Sequence, residues 1–523
     1  MTKKNKLLLI AVVGILSYAI FMRFYRLESL FYFMHDEEVI AFRTSPAFSK
    51  GKLFLIGGVT PFHIHLTPYY YYLSGLILAI GGLDPRVWGV FSGALGVLTT
   101  VFMYLVGKRV FNSTIALLSS LLYAGSYLAS LFDRHYWPLS FDAILAVIVF
   151  YALYQIIRKR YRAIYFLTLA FIMGVSSDLS TLLLIFGSVI VWIVFRLPIK
   201  VPQIKKSGLI FLLSLLPLVV FDIRHKFSNI SQITVFFTER KQVLGWSFHR
   251  FAETLLFIPR VLSRLFFIFG DQEVARQYTY CSAPSLDRLQ AIPWWMVGFF
   301  VVALIVVLLQ LRAKKPYHQS LKILFIFFAA GFIGINIYGN VFATMVHDHY
   351  LATLFPATFF LFGYLLWLLW RLNRVGKSIV VLVLSLFLLT NIASLVNAKN
   401  VIGFTYKRQA VEYAIKQLAE RDFALESLGS CYKYGGWRYL FKVYGHEPVK
   451  SYADQNYFWL YDNPPARDHP DMLIVMVTPE DNESAEFTSE YKRYLAGTIL
   501  RKTFGRIEVL LVDNNSHQFD GRF

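Results

Sequence analysis

Three acidic residues stand in a row in FYFMHDEEVIAF, residues 31–42, directly after the first apolar run of the chain. They are Asp36, Glu37 and Glu38, and His35 precedes them. A carboxylate that is partly withdrawn from water has a raised pKa and can take a proton from a hydroxyl group. A structural alternative is that Asp36 caps a helix that runs to about Lys50, with the two glutamates favouring its N-terminal dipole.

Two further stretches combine acids with basic groups, and these are FDRHYWPLSFD and MVHDHYLATLFP. The candidates they supply are Asp133, Arg134, Asp142, His347, Asp348 and His349. Asp133 and Arg134 could also form a local ion pair. The HDH triplet resembles metal ligands, although adjacent loop residues seldom bind one ion. If the three stretches share one side of a membrane, their side chains are expected to converge on one cavity.

The composition indicates the class of protein in which these residues are positioned. Hydrophobic residues make up 56% of the 523, charged residues 16%, and the mean hydropathy is +0.51. Apolar runs of roughly 16–22 residues cross a hydrocarbon layer about 30 Å thick. The sequence therefore predicts a mainly α, polytopic helical membrane protein. About eleven spans are predicted, at 7–22, 86–106, 113–131, 141–157, 163–177, 180–196, 207–221, 293–311, 321–338, 350–370 and 378–396.

The basic residues predict the orientation. With the N-terminus inside, the short inner loops carry many lysines and arginines, and the short outer loops carry only Arg134. This bias places the N-terminus in the cytoplasm and, with an odd number of spans, the C-terminal tail outside. The outer loops are then 23–85, 132–140, 222–292 and 339–349. We expect a multi-pass protein of the plasma (inner) membrane.

Two regions are not read as simple spans. Residues 68–82 are apolar but short, and they are placed as a juxtamembrane or re-entrant helix; a crossing there would invert every later loop. Residues 246–270 set arginines among aromatic residues, which favours a helix lying in the membrane interface. Cys281 and Cys431 both fall outside, where a disulfide between them is an open alternative.

The tail, residues 397–523, differs from the rest of the chain. It has sixteen Lys and Arg against seventeen Asp and Glu, so the net charge of +20 belongs to residues 1–396. VEYAIKQLAE has helical periodicity, whereas MLIVMV and IEVLLV are typical of strands. The domains are therefore predicted as a transmembrane catalytic domain, 1–396, and an extracytoplasmic α/β domain, 397–523.

Several arginines and lysines lie outside, against the usual bias. Contacts with lipid headgroups explain many of them. An anionic substrate with a phosphate at the outer interface is the alternative, since the planar arginine fork holds phosphate oxygens in pairs.

The order of these segments resembles that of the GT-C glycosyltransferases. The matching features are an acidic pair after the first span, then HIHLTPYYYYLSGLILAIGGLDPRVWGVFSGALGVLTTVFMYLVGKRVF, then SLFDRHYWP. The chain is similar to bacterial relatives of the dolichyl-phosphate-mannose–protein mannosyltransferases and of the lipid A aminoarabinose transferases. Leu-Thr-Pro replaces the Lys-Pro-Pro of many relatives, and Asp133 precedes Arg134 where relatives carry Arg first. Asp142 is therefore an alternative counterpart of the family's later acid.

The resemblance implies a hexosyl- or pentosyltransferase that takes a sugar from a polyprenyl-phosphate carrier on the extracytoplasmic face. Its acceptor would be a glycan, a lipid or a protein, and one carboxylate implies inversion. Membrane lipids are expected partners, and nucleic acid is not. The catalytic residue would be Asp36 or Glu37. The predicted donor-phosphate ligands are Arg134, Arg86, His65 and Arg224. The predicted acceptor or second-acid residues are Asp133, Asp142, His347, Asp348 and His349.

Two alternatives stay open. Charge stabilisation of the leaving phosphate comes from arginine or from a divalent metal (Mg, Mn or Zn), for which Asp36, Asp133 and His349 are candidate ligands. The alternative function is a transporter or flippase of an anionic lipid or lipid-linked glycan. That function predicts charged residues or broken helices near the midplane of the membrane.

Overall fold

The computed structural model describes residues 3–60, 62–199, 201–239, 246–267, 294–312, 316–341, 346–429, 435–454, 470–478 and 485–515. Helices make up the described chain as far as residue 418, and the strands of a small sheet follow from residue 424 onward. The predicted fold class, a helical membrane protein with a small C-terminal α/β part, is confirmed. Cys281 and Cys431 lie outside the described residues, and so does the disulfide alternative.

The α-helices are numbered here in chain order. They are α1 Lys3–Phe24, α2 Leu27–Leu30, α3 His35–Ser49, α4 Tyr69–Ile80, α5 Arg86–Val110, α6 Ser113–Gly125, α7 Tyr127–Phe132, α8 Asp142–Ile157, α9 Ile164–Ser177, α10 Leu182–Val194, α11 Pro202–Ser214, α12 Leu216–Arg224, α13 Ser228–Glu239, α14 Phe248–Ser263, α15 Trp294–Arg312, α16 His318–Asn336, α17 Phe355–Trp370, α18 Arg374–Asn397, α19 Phe404–Leu418, α20 Trp437–Tyr444 and α21 Ala485–Ala496.

Seven helical segments in the described ranges are long and apolar enough to cross a membrane. They are Asn5–Phe24, Arg86–Val110, Pro138–Ile157, Pro202–Arg224, His318–Asn340, Asp348–Trp370 and Arg374–Asn397. Five shorter apolar helices are Tyr69–Ile80, Ser113–Gly125, Tyr161–Ser177, Leu179–Val194 and Val297–Arg312. Each of the eleven predicted spans overlaps one of these segments, and the segment left over is the predicted juxtamembrane one. The number of crossings stays a prediction.

The helix predicted for residues 246–270 is α14. Its N-cap is Ser247, whose side chain accepts a hydrogen bond from the Arg250 N–H. Phe257 and Val261 on one side of it are fully buried. The Thr254 hydroxyl donates to Asn336 Oδ1 of α16 at 2.6 Å. One face of this helix therefore packs on the protein, while its predicted place in the membrane interface stays a prediction.

The C-terminal sheet has the strand order β2-β1-β3-β5-β4, with β1 Ala424–Leu428, β2 Lys450–Ser451, β3 Met472–Val477, β4 Thr498–Phe504 and β5 Ile507–Asp513. β1 pairs parallel with β2 and β3, and β5 pairs antiparallel with β3 and β4. β3 is buried along its whole length, which explains its unbroken apolar run. Both predicted strands and the predicted helix, α19, are confirmed. The domain boundary at residue 396 stays a prediction.

The C-terminal part sits on the end of the bundle where α1 ends. Arg26, just after α1, donates to the carbonyl of Ala398, just after α18, at 3.2 Å. The Phe404 N–H donates to the Phe31 carbonyl at 3.4 Å. Both helices thus end at the same face of the bundle, which we call the site face, and the start of α1 lies at the opposite face.

A buried ion pair fixes the end of α1. Arg23 is 0% exposed and lies 2.8 Å from Asp133 Oδ2, which is 8% exposed. Arg23 also donates to the carbonyls of Ala124 and Tyr123, at 2.6 and 3.1 Å. The Tyr123 hydroxyl donates to Asp133 Oδ1 at 2.9 Å. Both carboxylate oxygens are therefore engaged, and α1 is held to α6 and α7 by paired charge.

Arg134 braces the same joint through the backbone. Its guanidinium, which is 1% exposed, donates to the carbonyls of Met22, Arg23 and Tyr25 at 2.5, 3.1 and 3.2 Å. The ion-pair alternative for this loop is thus partly wrong, because Asp133 pairs with Arg23 from a different helix rather than with its neighbour Arg134.

We expect Asp133→Asn to lower the stability of the folded protein by about 3–5 kcal/mol, because the substitution leaves the Arg23 guanidinium buried without its counter-charge. Thermal unfolding of the detergent-solubilised protein measures the effect. Asp84→Asn is the matched control, because its partner Arg86 is 45% exposed and such a surface pair contributes less than about 1 kcal/mol. Equal destabilisation by both variants would contradict the role given to the buried pair.

Candidate active site

Glu37 links the start of α3 to the loop after α7. Met34 is extended and is the last residue before the helix, and its N–H donates to Glu37 Oε2 at 2.8 Å. The other oxygen, Oε1, lies 2.6 Å from Nε2 of His135. Glu37 is only 1% exposed. Because both of its oxygens are bound, Glu37 is placed to hold other groups rather than to accept a proton from a substrate.

Asp36, its neighbour, is exposed and has no hydrogen-bond partner among the described residues. Although solvent reaches the side chain, the protein around it raises the pKa of Asp36, first through lost bulk hydration and then through repulsion from Glu37. The positions of His35 and His135 oppose this rise. Accessibility decides what can reach the carboxylate, and the raised pKa makes Asp36 a stronger base than an ordinary aspartate.

The capping alternative for Asp36 is wrong. The helix does run to Ser49, close to the predicted end at Lys50, but its N-cap is Met34 and Asp36 lies inside the first turn. The N–H of Met34 donates instead to the side chain of Glu37, three residues later. Asp36 is thus free of the capping task.

Aromatic and imidazole rings join the three polar stretches. The His135 ring stacks on Trp137, with centroids 4.5 Å apart. Trp137 meets His349 edge-on at 5.2 Å, and His349 stacks on His347 at 5.2 Å. Together with the Glu37–His135 bond, these contacts bring the acidic stretch, the 132–142 stretch and residues 346–356 to one place. The convergence expected from the sequence is present for these residues.

Asp348 lies next to these rings. Its side chain is buried, with Oδ2 3.8 Å from Arg264 Nη1 and Oδ1 3.8 Å from His349 Nδ1. Arg264, directly after α14, is itself buried. Asp348 is therefore close enough to offset the charge of Arg264, whereas 3.8 Å is too long for a hydrogen bond to His349.

Asp178 and Asp142 form a second pair of acidic residues in this region. Asp178 is within electrostatic range of both Asp36 and Asp142. It accepts the Ser180 N–H at 2.7 Å, and the Ser180 hydroxyl donates to Asp142 Oδ2 at 3.2 Å. Asp142 is fully buried. Asp178 directly follows the last residue of α9, and this position brings it to the site face.

His65 lies in the loop before α4, next to α12 and α13. The backbone N–H of His65 donates to Asn229 Oδ1 at 2.8 Å, and Nδ1 of its ring lies 2.9 Å from the same oxygen. Asn229 is in turn held by Asp222, which accepts its N–H at 3.0 Å. Loss of hydration lowers the pKa of His65, and nearby Arg43 adds to this effect. The predicted donor-side histidine is thus positioned close to a cation that the sequence reading did not select.

That cation, Arg43, shares a helix face with Asp36. The two residues are seven apart on α3, so they lie two turns apart on one side, about 10 Å along the axis. The Arg43 guanidinium packs over the ring of Tyr71, 5.4 Å from its centroid. Tyr71 is within electrostatic range of Asp36 as well. No carboxylate among the described residues lies within ion-pair distance of Arg43. The seven-residue spacing was readable from the sequence once α3 was known to be a helix.

Other predicted residues lie elsewhere. Arg134 donates to backbone carbonyl groups and Asp133 pairs with Arg23, so both lie in the joint at the end of α1, and their predicted phosphate and acceptor roles stay predictions. Arg86 is half exposed and pairs with Asp84 at 2.7 Å, next to Tyr444 of the C-terminal part. Arg224 is exposed in the last turn of α12, and its phosphate role stays a prediction.

The candidate metal ligands do not form a binding set. Asp133 already gives one oxygen to Arg23 and the other to Tyr123. In the part of the chain that the structure describes, no group of three His, Cys, Asp or Glu side chains is arranged to hold an ion. The set Asp36, Asp133 and His349 therefore does not fit a divalent metal, and metal dependence stays a prediction.

The fold and parts of the sequence match known proteins. Residues 65–222 match the model of a family described as dolichyl-phosphate-mannose-protein mannosyltransferase. A solved structure of ArnT from Cupriavidus metallidurans, bound to undecaprenyl phosphate, is similar with a TM-score of 0.57 and 12% identity, over 96% of this chain and 97% of that chain. The chain has the fold of ArnT. The resemblance predicted from the sequence is confirmed at this level.

Two further solved structures extend the comparison. The apo state of the same ArnT also gives a TM-score of 0.57 and 12% identity, over 98% of each chain. The oligosaccharyltransferase AglB from Archaeoglobus fulgidus, solved with an inhibitory peptide and a dolichol-phosphate, gives 0.47 and 12% identity over 91% of this chain and 70% of that chain. The curated proteins contain no match. The fold of ArnT thus extends along nearly the whole length of this chain.

Proposed function

We propose that the protein is an integral-membrane glycosyltransferase. It moves a sugar, a hexose or a pentose, from a polyprenyl-phosphate carrier to a hydroxyl of a glycan, lipid or protein acceptor. The observation that carries the proposal is the division of labour at the start of α3, where Glu37 is locked between Met34 and His135 while Asp36 stays exposed. The GT-C fold supports it, since the ArnT relative was solved with a polyprenyl phosphate.

The reaction assigned to this site is a single displacement. Asp36 takes the proton of the acceptor hydroxyl as its oxygen bonds to the anomeric carbon of the sugar. The bond between that carbon and the phosphate oxygen breaks, and its electron pair leaves with the polyprenyl phosphate. One displacement inverts the anomeric carbon, by analogy with inverting glycosidases. The phosphate leaves as a stable anion and needs charge stabilisation more than a proton.

Arg43 is the residue that we assign to this stabilisation. Its guanidinium lies on the helix face of Asp36, stacked on Tyr71 and without a carboxylate partner among the described residues. A planar fork held by an aromatic ring is pre-oriented for two phosphate oxygens. His65 lies on the same side, within electrostatic range of Arg43, with ring Nδ1 at hydrogen-bond distance from Asn229 Oδ1. The base and the phosphate seat thus flank the place where the sugar carbon would lie.

The proposed side of the membrane follows from the site face. We assign that face, with the C-terminal part, to the extracytoplasmic side of the plasma membrane, on the charge bias of the short loops. Membrane lipids and the lipid-linked donor are the partners that this placement requires.

Transfer and transport can be separated directly. The purified protein in liposomes is given radiolabelled polyprenyl-phosphate sugar with an extract of acceptor glycans, lipids and proteins. Transferase activity moves the label into an acceptor and releases free polyprenyl phosphate. A change only in the leaflet that holds the labelled donor, with the donor intact, would favour the flippase alternative instead.

Asp36→Asn is expected to lower kcat of transfer by about 10²–10⁴-fold, because the amide keeps the shape of the side chain and loses the base. The melting temperature should stay near that of the wild type, since Asp36 makes no hydrogen bond among the described residues. The matched control is Asp222→Asn, which keeps an acceptor for the Asn229 N–H. Transfer within about threefold of wild type in Asp36→Asn would remove the assignment of the base.

The pH profile of kcat should lose activity as the pH falls through the raised pKa of Asp36, because only the carboxylate accepts a proton. Asp178 is one of the charges that raise this pKa. Asp178→Asn should therefore move the acid limb to lower pH, and the amide oxygen still accepts the Ser180 N–H. Asp222→Asn should leave the limb in place. A limb that moves to higher pH, or not at all, would contradict the proposed electrostatic coupling.

Arg43→Ala is expected to lower kcat/KM for the donor by at least about tenfold, since a lost charge-assisted phosphate contact costs about 2–5 kcal/mol. Arg43→Lys should recover part of the loss, because a point charge remains without the fork. Lys52→Ala, at an exposed lysine beyond the same helix, is the control for general surface charge. An alanine variant with unchanged donor kinetics would separate Arg43 from the phosphate.

A further inference from the structure

Lys407 of the C-terminal part reaches the start of α3. It lies in the first turns of α19 and is 1% exposed. Its side-chain nitrogen donates to the carbonyls of Phe33 and Gly435, each at 2.6 Å. The ring of Trp437 lies 4.8 Å from the same nitrogen. A buried lysine is costly unless its donors are satisfied, and here they are directed to two backbone carbonyls and to Met34 Sδ at 3.0 Å.

One of these backbone groups belongs to the site. The Phe33 carbonyl and the Met34 N–H are the two polar groups of a single peptide unit. Lys407 binds the carbonyl at 2.6 Å, and Glu37 binds the N–H at 2.8 Å. A peptide unit is planar, so holding both of its polar ends fixes the orientation of the whole plane. That plane leads into the first turn of α3, where Asp36 lies two residues on.

A second contact from the C-terminal part holds the same turn. The Tyr439 N–H donates to Glu38 Oε1 at 2.9 Å, and Glu38 is buried. The three consecutive acids thus have three different surroundings. Asp36 is exposed, Glu37 is bound to His135, and Glu38 is bound to the C-terminal part.

We propose that Lys407 is a positioning residue for Asp36 and that the C-terminal part is a working component of the active site. By fixing the Phe33–Met34 peptide plane together with Glu37, Lys407 sets the direction in which the Asp36 carboxylate meets the acceptor. This inference rests on the proposed transferase function, because it assigns Lys407 an effect on the chemical step.

The role does not depend on the charge of Lys407. Burial lowers the pKa of Lys407 to about 7, and the attraction of Glu37 and Glu38 opposes that change. The neutral amine still has two N–H groups, one for each carbonyl. The contact therefore persists in both protonation states.

The test compares two substitutions of Lys407 with a matched control in the full-length protein. Lys407→Met keeps the length of the side chain and removes its donors. Lys407→Gln keeps an amide N–H but is shorter, so that it reaches the carbonyls less well. Lys442→Met is the control, because this lysine also lies at the contact with α3, 5.2 Å from the ring of Phe42, and does not touch the Phe33 carbonyl.

We expect Lys407→Met to lower kcat per mole of folded protein by at least about tenfold, since small misplacements of a catalytic group cost up to about 10²-fold. KM for the donor should stay within about twofold, because no donor contact is removed. Lys407→Gln should lie between Lys407→Met and the control, which should match the wild type. Hydrogen exchange of the amides in residues 34–38 should rise in Lys407→Met alone.

The outcomes are distinct. Kinetics of both Lys407 variants equal to those of Lys442→Met would overturn the inference, as would a rise in KM with unchanged kcat. If Lys407→Met does not fold, a kcat of Lys407→Gln equal to that of the control overturns the inference, and a lower kcat supports it. Asp36→Asn is measured alongside. If it retains transfer, the proposed base is wrong; if it is inactive while the Lys407 variants match the control, only the positioning role is.

Discussion

The site depends on the carboxylate of Glu37, whose two oxygens are both hydrogen-bonded. One oxygen receives the N–H that opens α3, and the other binds the imidazole of His135, almost a hundred residues later. The His135 ring in turn stacks on Trp137, and Trp137 contacts the ring of His349. A helix start and two distant loops are thereby held in one arrangement. Removing water from such a bond strengthens it, and the burial of Glu37 provides that condition.

The helices contribute to this arrangement mainly through the positions of their ends. Asp178 follows α9, Asp142 opens α8, and His349 lies in the turn before α17, so each polar group lies at a helix terminus on the site face. Membrane-spanning helices satisfy their own backbone groups, which leaves polar side chains to collect where the helices stop. The C-terminal part covers this face, and its helix α20 packs against α3. As a result, solvent reaches the Asp36 carboxylate although protein surrounds it.

Much of the fold was readable from the sequence. The apolar runs predicted the helices, and MLIVMV and IEVLLV predicted two strands, because burial and periodicity are local properties. The three polar stretches were also correctly expected to meet. The sequence could not show which acid would be free, because Glu37 is immobilised by a histidine 98 positions away. The partners of Arg23 and Lys407 are similarly remote. Adjacency suggested an Asp133–Arg134 pair that the tertiary structure replaces with Arg23. Arg43 was missed because its alignment with Asp36 depends on both residues belonging to one helix, which the sequence offered only as an alternative.

The Arg23–Asp133 pair has a consequence for how the chain enters the membrane. The two residues are 110 positions apart, so during synthesis the end of α1 emerges long before its counter-charge exists. Until α6 and α7 have been inserted, Arg23 has to remain in the hydrated headgroup region, where a lone guanidinium is tolerated. The first helix can therefore settle to its final depth only after the seventh has arrived. The pair thus orders assembly in time, and a ribosome-bound chain that ends before Asp133 would hold its first helix in a shallower and more mobile position than the finished protein does.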